Sequence, residues 1–407
     1  MAATGNRIAV IDGLRGYFLV MMMSSHLIFD GGALLLRVHH GEVAFVEDAQ
    51  GFVFLSGLVV GLTYARILGR RGTVALTEKA WTRVGELYRL LMLTLAVVLA
   101  SAFLLPGGSQ IWGWQLGILG TAPLDHVPLA VGLLYQPAYL DILPQYMIYL
   151  VAAPFLVRWT AAGHGFTVIA GSLAIWIAAQ MGLHLPLVAA VERLVMMADS
   201  GAALRAYFNP LGWQLFFVSG AVIGAAAYTG QLKTDKILGP QRLGLAMIAL
   251  GLAGVFTVIR VLHGLSLLDG ELGQRFYRLL RREDLSLVYV LNFAALGYGV
   301  AFLLVNAGSA AVPRAVGFVG RMLHRFFAVP FFAFLGRHSL QVYAFHVLVA
   351  YAAVAIQWYA GPLNEWAKSA IVIGAVLSLA IPAQWHSLSQ RREQARATLR
   401  AATSSQA

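Results

Sequence analysis

The first apolar segment of the sequence contains two ionisable residues whose types and spacing could do chemistry. Ten residues separate Arg15 from His26, and eleven helical steps of about 100° return to nearly the same face, roughly 16 Å further along the axis. Ionisable groups inside a membrane are costly and usually face a cavity or a partner. Histidine is also the side chain best suited to accept a proton near neutral pH. We therefore predict that His26 is a general base on one polar stripe with Arg15.

A structural interpretation of the same residues is also open. Arg15 can be a positive charge that orients the helix, and His26 can be a histidine packed against a neighbouring helix. Asp12 lies three residues before Arg15, so the two side chains can pair on one face of the helix. For the combination of Arg15 and His26 we favour function, with Asp12 as a substrate-binding candidate.

Two carboxylates precede the second apolar segment. Glu47 and Asp48 would enter a helix N-terminus, where negative charge is favourable because of the helix dipole. Ser56, followed by Gly57, permits close approach of another helix. In the functional interpretation, Asp48 or Glu47 holds the imidazole of His26 in one tautomer or accepts the proton of an incoming hydroxyl, and Ser56 contributes to substrate binding.

Later apolar segments also begin with polar residues. Asp141 and Gln145 open the fourth segment, and Asn209 and Gln214 open the sixth. Asp141 and Asn209 each precede a proline and also fit helix caps. Gln214 lies one turn inside an apolar helix and needs a hydrogen-bonding partner or a polar ligand. All four are candidate substrate-binding residues.

The ninth apolar segment adds a further group of polar residues. Arg337, His338 and Ser339 stand at its start, and His346 lies within it. A single histidine inside a membrane is often a packed hydrogen-bonding group, so His346 is either such a group or a substrate contact. We include all four residues among the candidates for substrate binding.

The loop after the first segment contains His39, His40 and Glu42. Adjacent histidines on a flexible loop rarely converge on one ion, so we predict no metal site. The sequence has no cysteine, which excludes cysteine nucleophiles and thiolate zinc sites.

The elements that must position these residues are apolar helices. The chain of 407 residues is 59% hydrophobic and 12% charged, about half the roughly 25% charged content of soluble domains. An ordinary water-soluble enzyme is thereby excluded. Runs long enough to cross about 30 Å of hydrocarbon predict an all-α, polytopic membrane bundle of about ten helices, at residues 14–34, 49–66, 87–105, 143–158, 166–184, 210–229, 241–261, 286–306, 339–360 and 367–386.

The charge distribution predicts the orientation of these helices. Most of the 29 lysines and arginines fall on the side that is cytoplasmic if both termini are cytoplasmic. The positive-inside rule thus accounts for the net charge of +11, and nucleic-acid binding loses its support. The longer segments 106–142 and 262–285 lie on the opposite side. We predict one membrane domain, residues 1–389, followed by a disordered cytoplasmic tail, residues 390–407.

Several motifs in one order resemble a known family. They are residues 11–18 with His26, residues 51–57, residues 141–144, residues 208–210 with Gln214, and residues 336–340 with His346. Together they resemble the OpgC family of inner-membrane proteins, which place succinyl groups on osmoregulated periplasmic glucans. The spacing of arginine and histidine and the Phe-Leu-Ser-Gly element of residues 54–57 are similar to the wider transmembrane acyltransferase superfamily. The resemblance extends through almost the entire chain.

The resemblance implies that His26 is catalytic and Arg15 functional in an O-acyltransferase of the bacterial inner membrane. An acyl group, succinyl in this family, would move from cytoplasmic acyl-CoA to a hydroxyl of a periplasmic glucan. Acyl-CoA is then a co-substrate, with no permanently bound cofactor, and the partners are membrane lipids and the glucan. Arginines suit the phosphates of coenzyme A. The candidates on the inner rim are Arg66, Arg70, Arg83 and Arg89. The other interpretation is that these positive charges only orient the helices in the membrane.

Two further alternatives stay open at the level of sequence. A transporter or flippase could use Arg15, His26 and Asp48 to bind or relay ions through the midplane, and matching inverted repeats would favour it, although none is convincing. The outer arginines between Arg275 and Arg282 could attract an anionic acceptor or form a network of salt bridges within their loop.

Overall fold

The computed structural model describes residues 2–195, 204–205, 207–268 and 270–404, with side chains described except at 2–8, 194–195, 272 and 397–404. The described chain is helical and contains no strand beyond one isolated bridge, so the all-α prediction is confirmed. The longer α-helices are α1 (Ala2–His26), α2 (Asp48–Leu104), α3 (Pro123–Val131), α4 (Ile142–Trp159), α5 (Gly165–Gln180), α6 (Leu185–Val195), α7 (Pro210–Tyr228), α8 (Leu243–Gly264), α9 (Leu287–Val305), α10 (Arg314–Phe327), α11 (Pro330–Arg337), α12 (Ser339–Ala360), α13 (Glu365–Ser378) and α14 (Ala380–Ser404).

Within the described residues, 7 helical segments are long and apolar enough to cross a membrane, or up to 8 if α10 and α11 together make one span. These segments are Asp48–Leu104, Ile142–Gln180, Pro210–Tyr228, Thr234–Gly264, Leu287–Val305, Ser339–Ala360 and Glu365–Arg396. The chain therefore has the helices of a polytopic membrane protein. The predicted count of about ten and the predicted cytoplasmic termini are not confirmed.

The difference in count has a local origin. Apart from residue 105, the predicted spans 49–66 and 87–105 both lie in α2. Apart from residues 181–184, the spans 143–158 and 166–184 lie in the one segment Ile142–Gln180, which contains α4 and α5. Each segment is interrupted by a glycine with positive φ, Gly72 at 79° and Gly163 at 96°. Glycine reaches this region without the steric cost of a Cβ atom. The first predicted span continued to residue 34, whereas α1 ends at His26.

One compact unit comprises the residues up to Leu36 and those from Phe326 onward. In it, α1 and α11 meet with their backbones close together. A Cβ atom on Gly16 would lie 1.9 Å from the carbonyl oxygen of Phe332, and one on Gly336 would lie 1.8 Å from that of Asp12. Small residues allow such close approach between apolar helices. The helix that carries Arg15 and His26 is thereby fixed against its neighbour.

The second compact unit comprises Arg37–Arg325. Its central contact is between α2 and α7, and again glycines make it close. A Cβ atom on Gly57 would lie 2.1 Å from the carbonyl oxygen of Phe217, and one on Gly220 would lie 2.1 Å from that of Phe54. The close helix approach predicted at Ser56 and Gly57 is therefore present.

The end of the chain differs in form from the predicted tail. Residues from 390 onward continue α14, which runs to Ser404 in the described chain. The division into one domain and a tail stays a prediction.

Candidate active site

His26, at the end of α1, contacts a second histidine inside the same unit. Its Nδ1 lies 3.0 Å from Nε2 of His346 on α12, and the two rings stack with centroids 5.1 Å apart. His346 is fully buried, and its Nδ1 donates to the backbone carbonyl of Tyr343. Two of the predicted polar residues thus form one hydrogen-bonded pair between apolar helices.

Arg15 contacts the same helix. Its Nη2 donates to Oγ of Ser339 at 2.5 Å, while Oδ1 of Asp12 lies at the outer limit of an ion pair, 4.0 Å from Nη1. Ser339 and His346 are seven residues apart, close to two turns, and therefore share one face of α12. Arg15 and His26 both contact α12, as expected for residues on one stripe of α1.

A buried lysine on α13 forms hydrogen bonds to the segment that follows His26. The side chain of Lys368 on α13 donates to the carbonyl oxygens of Asp30, at 2.9 Å, and Gly32, at 2.7 Å, and pairs with Glu365 at 3.1 Å. Glu365 also accepts a hydrogen bond from the amide of Leu34 at 3.0 Å. A buried ammonium needs such partners, and these contacts fix the chain directly after the candidate base.

His338 also belongs to a histidine pair. Its Nδ1 lies 2.9 Å from Nδ1 of His386 on α14. Burial, together with the positive charges of His386 and Arg337, lowers the pKa of His338 below its usual value. Arg337 itself is exposed, and its Nε donates to the carbonyl of Ala333 at 3.2 Å. A direct role for His338 or Arg337 in binding stays a prediction.

In the second unit, Asp48 contacts the two adjacent histidines. Its Oδ1 lies 3.1 Å from Nε2 of His39 and 3.4 Å from Nε2 of His40, and Asp48 is 5% exposed. The expectation that adjacent histidines do not converge was therefore wrong, because the 3-10 turn His40–Glu42 brings both rings to the first turn of α2. Burial lowers the pKa of His40 more than the Asp48 carboxylate raises it.

The three side chains of this cluster have the spacing of metal ligands, with their ligand atoms within 4.8 Å of one another. The tautomer of His39 argues against an ion there. The amide of Gly41 donates to Nδ1 of His39 at 2.9 Å, so the neutral ring carries its proton on Nε2, the atom that faces Asp48. A metal ligand needs the lone pair of that nitrogen. The geometry is therefore that of a hydrogen-bonded cluster.

Glu47 caps α2 and pairs with an outer arginine. It forms a capping box with Gln50, and its Oε2 lies 3.4 Å from Nη1 of Arg282. Burial raises the pKa of Glu47, and Arg282 opposes that shift. Arg282 also donates to the hydroxyl of Tyr207. The other outer ion pairs are Arg275 with Glu271 and Arg281 with Asp284, as in the salt-bridge interpretation of this loop.

Two of the predicted binding residues have structural partners. Gln214 exchanges hydrogen bonds with Ser172, whose hydroxyl lies 2.6 Å from Oε1 and whose carbonyl lies 2.8 Å from Nε2. Asn209 caps α7 by accepting from the amide of Leu211 at 3.0 Å and donates to Asp284 at 3.1 Å. Their polar atoms thus join helices and a loop within this unit.

Asp141 and Gln145 differ from these two. Both are buried, and Oδ2 of Asp141 and Nε2 of Gln145 have no hydrogen-bond partner in the described chain. Burial raises the pKa of Asp141 to about 6. Because they are four residues apart, the two side chains share one face at the start of α4. Buried polar atoms without partners are uncommon and point to a missing ligand or water.

The predicted phosphate-binding arginines lie along α2 on both sides of Gly72. Arg66, Arg70 and Arg89 are exposed, and Arg83 pairs with Glu86 at 2.8 Å. A cavity of about 550 Å³ lies beside this part of α2. It is lined by Leu68, Arg158, Trp159, Ala162, His164 and Thr167.

The sequence predicted Arg15, His26, Ser339 and His346 as candidate residues. It did not predict that Arg15 contacts Ser339 or that His26 contacts His346. It missed the supporting roles of Lys368 and His386. The signal that could have found Lys368 is a lysine inside an apolar run, since such a residue needs a partner.

These features define a polytopic helical membrane protein in which a histidine pair and an arginine–serine contact lie between apolar helices. The family model described as OpgC protein matches residues 7–391, so the chain belongs to the OpgC family. Comparison with curated proteins and with solved structures gives no match. Membership of this family indicates a transferase that modifies glucans.

Proposed function

We propose that this protein transfers an acyl group, succinyl in our proposal, from acyl-CoA to a hydroxyl of a glucan outside the bacterial cytoplasmic membrane. The observation that carries the proposal is the 3.0 Å contact between His26 and His346. An imidazole placed by a buried partner between apolar helices is suited to take a proton where little water competes. The family supports a carbohydrate acceptor.

In the proposed reaction, His26 removes the proton of a glucan hydroxyl as that oxygen attacks the thioester carbonyl. A carbon–oxygen bond forms and the carbon–sulfur bond breaks, which leaves an ester and the thiolate of coenzyme A. The imidazolium of His26 returns its proton to that thiolate. Direct transfer of this kind requires no protein nucleophile, and an acyl-histidine intermediate is the alternative route.

Arg15 is the cation of the proposed site. Guanidinium groups bind carboxylates and developing oxyanions strongly in places of low dielectric constant. The contact with Ser339 fixes the guanidinium on the face of α12 that also carries His346. We propose that Arg15 stabilises the negative charge of the acyl donor.

The acceptor glucan is proposed to bind at Asp141 and Gln145. Sugar hydroxyls both donate and accept hydrogen bonds, and these two residues offer a buried acceptor and a buried donor without partners in the described chain. Asn209 and Gln214 have the structural partners described above, so their part in binding is indirect in this proposal. Ser56 is buried at the close contact between α2 and α7, and its role in binding stays a prediction.

Coenzyme A is proposed to bind along α2 through its phosphates. Arg158 and His164 line the cavity together with Leu68 of α2, and Arg66 and Arg70 are exposed on the same part of α2 without lining it. These basic groups suit phosphate oxygens, and the cavity has room for part of a nucleotide. Asp48 and Glu47 stay candidates for accepting a proton. Within the second unit, Asp48 contacts His39 and His40, and Glu47 contacts Arg282.

The test is acyl transfer by the purified full chain in lipid nanodiscs, with succinyl-CoA as donor and a short β-glucan as acceptor. We expect an ester product in the wild type, seen by mass spectrometry, and its loss in His26→Gln. His126→Gln is the control, because it makes the same substitution at a fully buried histidine outside the proposed site, whose Nδ1 bonds the backbone carbonyl of Ala122 at 2.9 Å. Movement of glucan across a bilayer without any acylated product would overturn the proposal in favour of a transporter.

A further inference from the structure

The contacts of His346 suggest a role other than substrate binding. We propose that His346 is a positioning residue, whose ring fixes the tautomer of His26 so that Nε2 of His26 is the nitrogen that accepts the substrate proton. The inference rests on the proposed function, because it assigns a task within the same site.

The first step is the protonation of His346. Its Nδ1 contacts the backbone carbonyl oxygen of Tyr343, and a carbonyl oxygen can only accept a hydrogen bond. Nδ1 of His346 therefore carries a proton. A neutral imidazole has one N–H and one lone pair, so the lone pair of His346 is on Nε2.

The second step passes this assignment to His26. Nε2 of His346 lies 3.0 Å from Nδ1 of His26, and one of these two nitrogens must donate. Because Nε2 of His346 holds the lone pair, Nδ1 of His26 carries the proton. The lone pair of His26 is then on Nε2, the nitrogen on the other side of its ring.

The atoms that hold the ring of His346 belong to the backbone and to a packed side chain of α12. The carbonyl of Tyr343 belongs to the backbone of α12, and the ring of Tyr343 packs edge-on against His346 with centroids 4.7 Å apart. His346 has no exposed surface. Rotation of the His346 ring would break its hydrogen bonds to Tyr343 and His26 at once.

The arrangement has a chemical consequence for the base. When Nε2 of His26 takes the hydroxyl proton, the imidazolium keeps its Nδ1–H bond to His346, and hydrogen bonds from charged donors are stronger than neutral ones. The partner thus favours the protonated base as the transition state forms. Buried acceptors hold catalytic histidines of hydrolases in the same manner, although there the acceptor is a carboxylate.

Other titratable groups near the pair come from the helices packed around it. Tyr343 on α12 contacts the ring of His346, whereas Asp12 and Arg15 pair with each other about three to four turns before His26 on α1. On α13, Lys368 pairs with Glu365 at 3.1 Å, and the imidazole of His346 contacts His26 directly.

The first test reads the tautomer without any turnover. Wild-type protein with ¹⁵N-labelled histidine in nanodiscs, at a pH where both rings are neutral, should show His26 protonated on Nδ1 and unprotonated on Nε2. His26→Gln and His346→Gln spectra assign the two signals. A proton on Nε2 of His26 would overturn the inference, whatever the enzyme transfers.

The second test uses kinetics. His346→Leu removes the acceptor, and we expect kcat to fall by about 10- to 100-fold, within the range that a positioned base contributes, with KM for donor and acceptor unchanged. His346→Gln keeps an acceptor oxygen and should restore most of kcat, and His126→Gln again serves as the control. A raised KM with unchanged kcat in His346→Leu would make His346 a substrate contact. Wild type without transfer would instead contradict the proposed function.

Discussion

At the scale of single residues, the first prediction concerns the pH dependence of acyl transfer. A protonated His26 cannot accept the hydroxyl proton, so kcat should fall as pH decreases through the titration of the histidine, within about pH 5 to 8. Initial rates at saturating substrate in the reconstituted protein measure this. Thermal unfolding in the same buffers serves as the control for loss of fold. A rate independent of pH over this interval would count against the base assignment.

Asp141 gives a second prediction at this scale, concerning stability. Its pKa is raised to about 6 from 3.8, so the folded protein binds the proton more tightly than the unfolded chain. The contribution of Asp141 to stability is then greatest below about pH 4 and decreases by about 3 kcal/mol as pH rises through 6. Asp141→Asn removes this cost and should be more stable than the wild type at pH 8, but nearly equal to it at pH 4.

Thermal unfolding in detergent at the two pH values measures this difference. If Asp141→Asn were less stable than the wild type by the same amount at both pH values, the carboxylate would be needed for the fold. If Asp141 binds the glucan, the stabilised variant should also have a raised KM for the acceptor, since groups kept at a cost in stability are often functional.

At the scale of elements, Gly16 gives the third prediction. A Cβ atom there would lie 1.9 Å from the backbone oxygen of Phe332, so Gly16→Ala forces α1 away from α11. Such overpacking typically costs about 1–3 kcal/mol, and it displaces the helix that carries Arg15 and His26. We expect a lower unfolding temperature and reduced acyl transfer.

The matched control is Gly297→Ala in α9, where nothing lies within 4 Å of the added atom. Alanine is the better helix former by up to about 1 kcal/mol, so this variant should be as stable as the wild type or slightly more so. Equal stability of Gly16→Ala and Gly297→Ala would contradict the close packing of α1 and α11.

The elements also show what the sequence could and could not predict. Apolar runs located the helices, because length and hydropathy decide where a helix can cross hydrocarbon. The positive φ of Gly72 and Gly163 was not evident, since helical sequence continues on both sides of each. His26 and His346 were both recognised as costly groups, but their pairing was not, because 320 positions separate them and contact depends on which helices become neighbours.

Local geometry explains the wrong expectation about His39 and His40. Flexible loops seldom direct adjacent side chains to one point, but here the amide of Gly41 holds the ring of His39, the two rings stack, and the carboxylate of Asp48 contacts both. Neither contact has a periodic signature in the sequence. Buried hydrogen-bond networks of this kind depend on tertiary structure that residue spacing does not encode.

At the scale of the whole molecule, the orientation in the membrane is still a prediction from charge alone. It places the segment between residues 306 and 339 in the cytoplasm and the segment 262–285 outside, and acyl transfer from cytoplasmic coenzyme A to an external glucan depends on that orientation. Because the chain has no cysteine, single cysteines can report it without a background. Ala310 and Leu267 are suitable positions, since both are exposed.

We expect Leu267→Cys to react with a membrane-impermeant maleimide in intact spheroplasts. Ala310→Cys should react only after the membrane is permeabilised, because its loop carries the basic residues Arg314, Arg321 and Arg325, which favour the cytoplasmic side. Retained acyl transfer by both variants is the control for correct folding. The reverse labelling pattern would place the segment 262–285 in the cytoplasm, and the predicted orientation, with the direction of transfer that depends on it, would then be wrong.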